Sequence, residues 1–235
     1  MGEIAMKRFE NATFRSIRDR DSASHFHDLE FRGCHFESCG VSIASDPTLR
    51  SIVRNVEIHD CSQLGCSVRS AVIEETLVDG FNTRGQLLLV WAAVFSHVTL
   101  QGKIGRIMIS ELPSSSGEGA IDDVFARANA EYYCNVDWAL DISRGEFAEI
   151  DIRGVPGHLI RRDPETQVLI TREQALAGEW QGLRYHHGAY QIALQLFLKR
   201  TEPSFVLVAE KRSPRFREKL RDLQLLRSAG VAELD

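Results

Sequence analysis

Short runs of alternating apolar and polar residues, each closed by Gly or Asp, recur along the first two thirds of the chain. They are DLEFRG from Asp28, NVEIHD from Asn55, ETLVDG from Glu75, HVTLQG from His97 and EIDIRG from Glu149. Alternation with a period of two predicts strands, and the closing Gly or Asp predicts a turn. The central residues Phe31, Ile58, Val78 and Leu100 lie 27, 20 and 22 positions apart. A strand-and-turn unit of that length cannot bury a core alone, so successive units must stack into a solenoid.

A finer grid of five lies inside these units. Val56-x-Ile58, Cys61, Cys66-x-Val68, Ala71-x-Ile73 and Thr76-x-Val78 advance in fives, as do Leu29-x-Phe31, Cys34-x-Phe36 and Cys39-x-Val41. Two inward side chains per five residues, with a turn between, give a coil of about four flat sides. The strings ATFRS, LEFRG, CHFES, CGVSI, CSVRS, AVIEE and TLVDG resemble the pentapeptide-repeat proteins, over parts of Ala12 to Gly80. The resemblance implies a right-handed parallel β-helix. Ser62 and Gln63 break the slot pattern, Asp46-Pro47 interrupts the run, and the grid changes phase beyond Gly80. The stretch from WALDIS to IRRDPETQ is also similar to a bacterial protein family that brings no activity with it.

PSSSGEG at 113–119 predicts a loop. Ile121, Val124, Phe125, Ala128 and Tyr132 then follow helical spacing, which predicts a helix inserted near 120–133. After Val155 the pattern turns to mixed α and β. Gln167 to Ile170 is extended, and TREQ from Thr171 is a capping box with Gly178 as the stop. Tyr190 to Leu198 fits helix or strand equally. Phe205 to Ala209 predicts a buried strand. Ser213-Pro214 predicts the start of a helix carrying Phe216, Leu220, Leu223 and Leu226 and ending at Gly230. The expected fold is thus β-dominated: a right-handed parallel β-helix over 1–155 with one inserted helix, and a smaller α/β segment over 156–235 that caps its open end.

Composition changes this picture little, and charge changes it more. The 235 residues carry a formal net charge of −5, with no apolar leader at MGEIAMKRFENATF and no run longer than LLLVWAAVF. The expectations are a cytoplasmic location and no membrane partner. Nine basic and four acidic residues fall between Lys199 and Arg227, so the remainder carries a surplus of ten acids. That body repels nucleic acid and favours a protein partner with a basic surface.

Candidate chemistry is sparse. Cys34, Cys39, Cys61 and Cys66 share the inward grid, so they are expected as core rather than metal ligands, and Cys134 makes the total odd. The histidines form no ligand spacing. His35 and His59 are expected on the surface, and His186-His187 in a polar loop. No phosphate loop or nucleophile elbow is present, so no catalytic residue, metal or cofactor is expected. Glu57, Asp60, Glu74, Glu75 and Asp79 are outward carboxylates and the candidate binding residues. They support a non-enzymatic recognition protein, with inhibitor, immunity-type or DNA-mimic roles as variants. The alternative is a carbohydrate-active lyase or glycoside hydrolase, which needs two carboxylates converging in a groove walled by an aromatic such as Trp91 or Trp138.

Overall fold

The computed structural model describes residues 6–112 and 119–233. The loop expected before Gly119 lies outside the described residues. In chain order the strands are β1 (Lys7–Glu10), β2 (Thr13–Arg15), β3 (Arg18–Arg20), β4 (His25–Arg32), β5 (His35–Glu37), β6 (Gly40–Ile43), β7 (Ile52–Leu64) and β8 (Ser67–Arg69). Then come β9 (Val72–Asn82), β10 (Leu87–Trp91), β11 (Val94–Ser110), β12 (Leu140–Asp141), β13 (Gly145–Ile152), β14 (Ile160–Arg161), β15 (Gln167–Thr171) and β16 (Ser204–Val208). The helices are α1 (Gly119–Tyr133), α2 (Arg172–Ala177), α3 (Ala189–Leu198) and α4 (Phe216–Ser228).

β1 to β14 form one large, open, curled sheet whose pairs are all parallel. Phe31 pairs with Ile58, Ile58 with Val78, and Val78 with Leu100, the stacking that the sequence spacing predicts. The next repeat is longer. Val98 pairs with Leu140, because α1 is inserted between them. EIDIRG is therefore not the coil mate of HVTLQG. Ile150 pairs with Ile107, which pairs with Leu88, so it belongs to another side of the curl.

The curl is made one residue at a time. Asn55, Asp60, Gly65, Ser70, Glu75, Gly80 and Gly85, five apart, all have positive φ. The non-glycine members of this class lie between 46° and 57°. A single left-handed residue turns the strand direction while the pairing continues on both sides. For this reason β7, β9 and β11 run on as 13, 11 and 17 residues rather than as the short strands expected. Each such residue is strained unless it is Gly, and Asn, Asp and Ser tolerate it best.

Inside the curl, side chains stack by kind. Phe9 lies on Phe31 and Phe14 on Phe36, with ring centroids 5.2 and 5.3 Å apart. Val56, Cys61 and Ala71 are buried as the grid predicts; Cys66 points into the core but is only half-buried. The column that starts Phe14, Phe36 continues as Gln63 and then Thr83, with Gly105 packed on Thr83. Inward volume along this side therefore dwindles from phenylalanine to glycine.

α1 seats Phe125, Asn129 and Tyr133 on the sheet and leaves Val124 exposed. The expected stripe through Val124 is thus rotated, because the buried face includes a polar residue. β15 and β16 pair antiparallel. Leu169, Val206 and Val208 face the core of the curled sheet; Val168, Ile170, Phe205 and Leu207 face a second core with Trp180, Leu194, Phe197, Leu223 and Leu226. Alternation along the two strands thus covers one end of the stack with one face and holds α2, α3 and α4 with the other. Thr171 and Gln174 form the capping box, and Gly178 ends α2 in the left-handed region. Tyr190 to Leu198 is helical. α4 begins at Phe216 rather than Pro214, and Arg215 precedes it without a side-chain cap.

Candidate functional site

The five outward carboxylates divide between two sides of the curl. Glu57 and Asp79 lie on the outer face of β7 and β9, with Asp79 opposite His59 and Asp60 at the adjoining corner. Glu74 lies on the preceding side opposite Arg54, and Glu75 is the corner between them.

Four glutamates on the outer faces are neutralised across the ladder. Arg8 is opposite Glu30, Arg15 opposite Glu37, Arg54 opposite Glu74, and Arg106 opposite Glu149. The guanidinium Nε donates to the carboxylate at 2.5 to 2.6 Å in all four pairs. Opposite-charge neighbours at this spacing favour the parallel register. Tyr132 of α1 also donates to Glu74, at 3.0 Å, and burial raises its phenol pKa. Glu57, Asp60 and Asp79 have no arginine or lysine partner among the described residues. Glu57 holds His59 Nε2 at 2.8 Å, and Asp79 accepts from Gln101 Nε2 at 2.9 Å.

Glu30, Glu57 and His59 bring ligand atoms within 4.8 Å of one another. They do not suit a metal. Arg8 and Arg32 each donate to a different oxygen of Glu30, and these hydrogen bonds, that from Arg8 foremost, hold its pKa below the usual glutamate range. Two guanidinium groups already occupy the place of a cation.

Beside this face the wall sinks into a cleft of about 460 Å³. Its floor is Phe81, Asn82, Thr83 and Gly105, where the inward column has become small. Two acids, Asp60 and Asp79, and three cations, Lys103, Arg106 and Arg212, line it. Lys103 owes its position to a register shift between Gln101 and Ile104, an extra residue at the corner occupied by Gly102. Such a bulge re-aims a side chain. Arg212 reaches in from beyond β16 and donates to the carbonyl of Ile104 at 2.9 Å. Phe81 is the aromatic of this cleft. Trp138 instead lies 4.8 Å from the His97 ring and under Arg161.

The sequence places His59 outward without its Glu57 partner, and it marks neither Lys103 nor Arg212 as a site residue. The phase change after Gly80 was the signal for Lys103. Nothing in the local pattern marks Arg212, whose place depends on how the C-terminal segment packs. Among the described residues no helix is long and apolar enough to cross a membrane. No family model and no curated protein matches the chain.

Proposed function

We propose that this chain is a recognition protein, a right-handed parallel β-helix whose coils hold one outward face rigid for a protein partner with a basic surface. The observation that supports it best is the selective charge pattern. Where Glu37, Glu74 and Glu149 are cancelled by arginines directly opposite, Glu57, Asp60 and Asp79 are left without an arginine or lysine partner among the described residues on one face and its corner, and Glu57 holds only His59. Uncancelled charge on a stiff surface steers association and selects partners more than it adds affinity. The carbohydrate-active alternative keeps one feature, Asp60 and Asp79 lining a single cleft with Phe81, but neither Trp91 nor Trp138 lines it.

The test compares immobilised wild type with the Asp60→Lys, Asp79→Lys double variant in capture from host extract. A protein retained by the wild type and lost from the folded variant, with an association rate that falls as salt rises, supports this reading. Equal capture by both removes the acidic face from it. Cleavage of a polysaccharide that one carboxylate substitution abolishes replaces it with the enzyme.

A further inference from the structure

We infer that the cleft at the phase change binds a small zwitterion of dipeptide size, its ammonium end on Asp60 and Asp79 and its carboxylate end on Lys103 and Arg212. The inference shares Asp60 and Asp79 with the recognition reading but concerns the cleft and a small molecule, and Lys103 belongs to it alone.

Charge in the cleft is sorted along the stack. Asp60 belongs to the coil of β7, Asp79 to that of β9, and Lys103 to that of β11. Arg212 comes from the segment after β16 and ties to β13 through its backbone N–H, which donates to the carbonyl of Phe147. Acids therefore fill the coils nearer the first strand, and cations those nearer the capped end. Neighbouring strands are about 4.8 Å apart, so Asp79 to Lys103 spans about one such step and Asp60 to Lys103 about two. A dipeptide, at up to about 3.6 Å per residue, extends over a comparable length.

The two ends also differ in how far their charge is already used. The Asp79 carboxylate takes one hydrogen bond, from Gln101, and the Asp60 carboxylate has no hydrogen bond or ion pair among the described residues. Lys103 is exposed, with no ion-pair partner among the described residues, and the guanidinium of Arg212 donates to a carbonyl, with no carboxylate partner among the described residues. Arg106 is different, since Glu149 and the carbonyl of Gly85 already hold it, so it serves as wall. Opposite charges this close in a folded protein would pair if their side chains reached, yet no ion pair joins Asp60 or Asp79 to Lys103 or Arg212. A ligand carrying both signs satisfies both ends at once, whereas a simple anion or cation meets repulsion at one of them. The floor between them is Phe81 and the small residues Thr83 and Gly105, which give an apolar contact and depth.

The experiment is a titration of the full chain, followed by amide NMR, with glycylglycine, its N-acetyl form and its C-terminal amide. The expected result is that glycylglycine shifts the resonances of Asp79 to Gly85 and Lys103 to Arg106, and that each blocked form binds at least about tenfold more weakly, the loss of one charge contact worth about 1.4 kcal/mol. Lys103→Glu, at an exposed side chain with no ion-pair partner among the described residues, should weaken glycylglycine by a similar factor, with circular dichroism confirming that the variant, its new carboxylate opposite Glu146, stays folded. No shift at the cleft with glycylglycine overturns the inference. Equal binding of the three forms overturns it too, as does a Lys103→Glu variant that binds as the wild type does.

Discussion

Arg50 donates from the interior to Asn129 of α1, with no ion pair to a carboxylate among the described residues. Its guanidinium also lies 5.0 Å from the Phe125 ring and reaches the carbonyl of Ala92. This contact pins the inserted helix to the sheet. Burial pushes Arg50 down to about 10 from 12.5. At neutral pH it is charged in both folded and unfolded chains, so its desolvation counts against folding, and that cost is relieved only as pH rises through 10. Asn129→Ala leaves the cation only its long contact to the carbonyl of Ala92 and should cost about 2–3 kcal/mol. Arg50→Met removes the charge with the hydrogen bond and should cost less. Urea unfolding ranks the two, and amide exchange in α1 should quicken in Asn129→Ala before exchange in β7 or β9 does. The reverse ranking would show that the guanidinium stabilises the fold by its charge.

The four core cysteines should be slow and Cys134 fast. Cys34 and Cys61 are buried, Cys39 and Cys66 half-buried, and Cys134 is exposed. Burial pushes the Cys61 thiol up to about 11 and raises Cys66 as well. Since the thiolate is the nucleophile, both effects slow labelling. A raised thiol pKa also adds stability that is full below the ordinary value of 9.0 and is lost as pH rises toward 11. With a chromogenic disulfide reagent near pH 8, one thiol per native chain should react in the fast phase. Cys134→Ser should abolish that phase, and a fast phase that survives would mean that the Cys39 and Cys66 ladder opens.

What the sequence made legible was the stacking. Spacing between Phe31, Ile58, Val78 and Leu100 reproduces the observed register because each pair occupies one inward column. The grid failed where volume, not polarity, set the slot. Gln63 and Thr83 are almost fully buried under the phenylalanine column, and a pattern of apolar positions reads them as breaks. It also failed across the insertion, where α1 separates coil mates Val98 and Leu140. The acids of the outer face were visible, but their arginine partners stand about 20 to 40 residues away and emerge only once the register is known.

Acid should loosen the first coils early. The Arg8 hydrogen bond lowers Glu30, the Arg15 hydrogen bond lowers Glu37, and the Ser45 backbone N–H lowers Asp21. A depressed carboxylate adds stability that is present above its ordinary pKa, 4.5 for glutamate, and lost as pH falls through the depressed value. Arg8→Gln weakens the hold on Glu30, so its acid unfolding midpoint should move to higher pH. Far-UV circular dichroism between pH 5 and 2 reads the shift, and a curve that superimposes on the wild type would mean that Arg32 alone suffices.

Glycine at three left-handed corners separates backbone strain from contact. Gly80, Gly85 and Gly102 all have φ between 66° and 75°. A Cβ at Gly85 would meet nothing within 4 Å, so Gly85→Ala should cost the left-handed strain alone, about 1–2 kcal/mol. At Gly80 the Cβ would come 2.8 Å from Asp60 Oδ1, and at Gly102 it would come 2.6 Å from Asp79 Oδ1. Those carboxylates must then move, and Asp79 gives up its hydrogen bond from Gln101. Gly102→Ala should therefore be the more destabilising, by roughly a further 1 kcal/mol. Most of the extra cost should vanish in an Asp79→Ala background, the backbone N of Gly80 at 3.3 Å remaining, and a double-mutant cycle in urea measures that coupling. Full additivity between Gly102→Ala and Asp79→Ala would show that the carboxylate swings aside freely. Asp79 would then be a mobile wall of the cleft rather than one fixed by the corner beneath it.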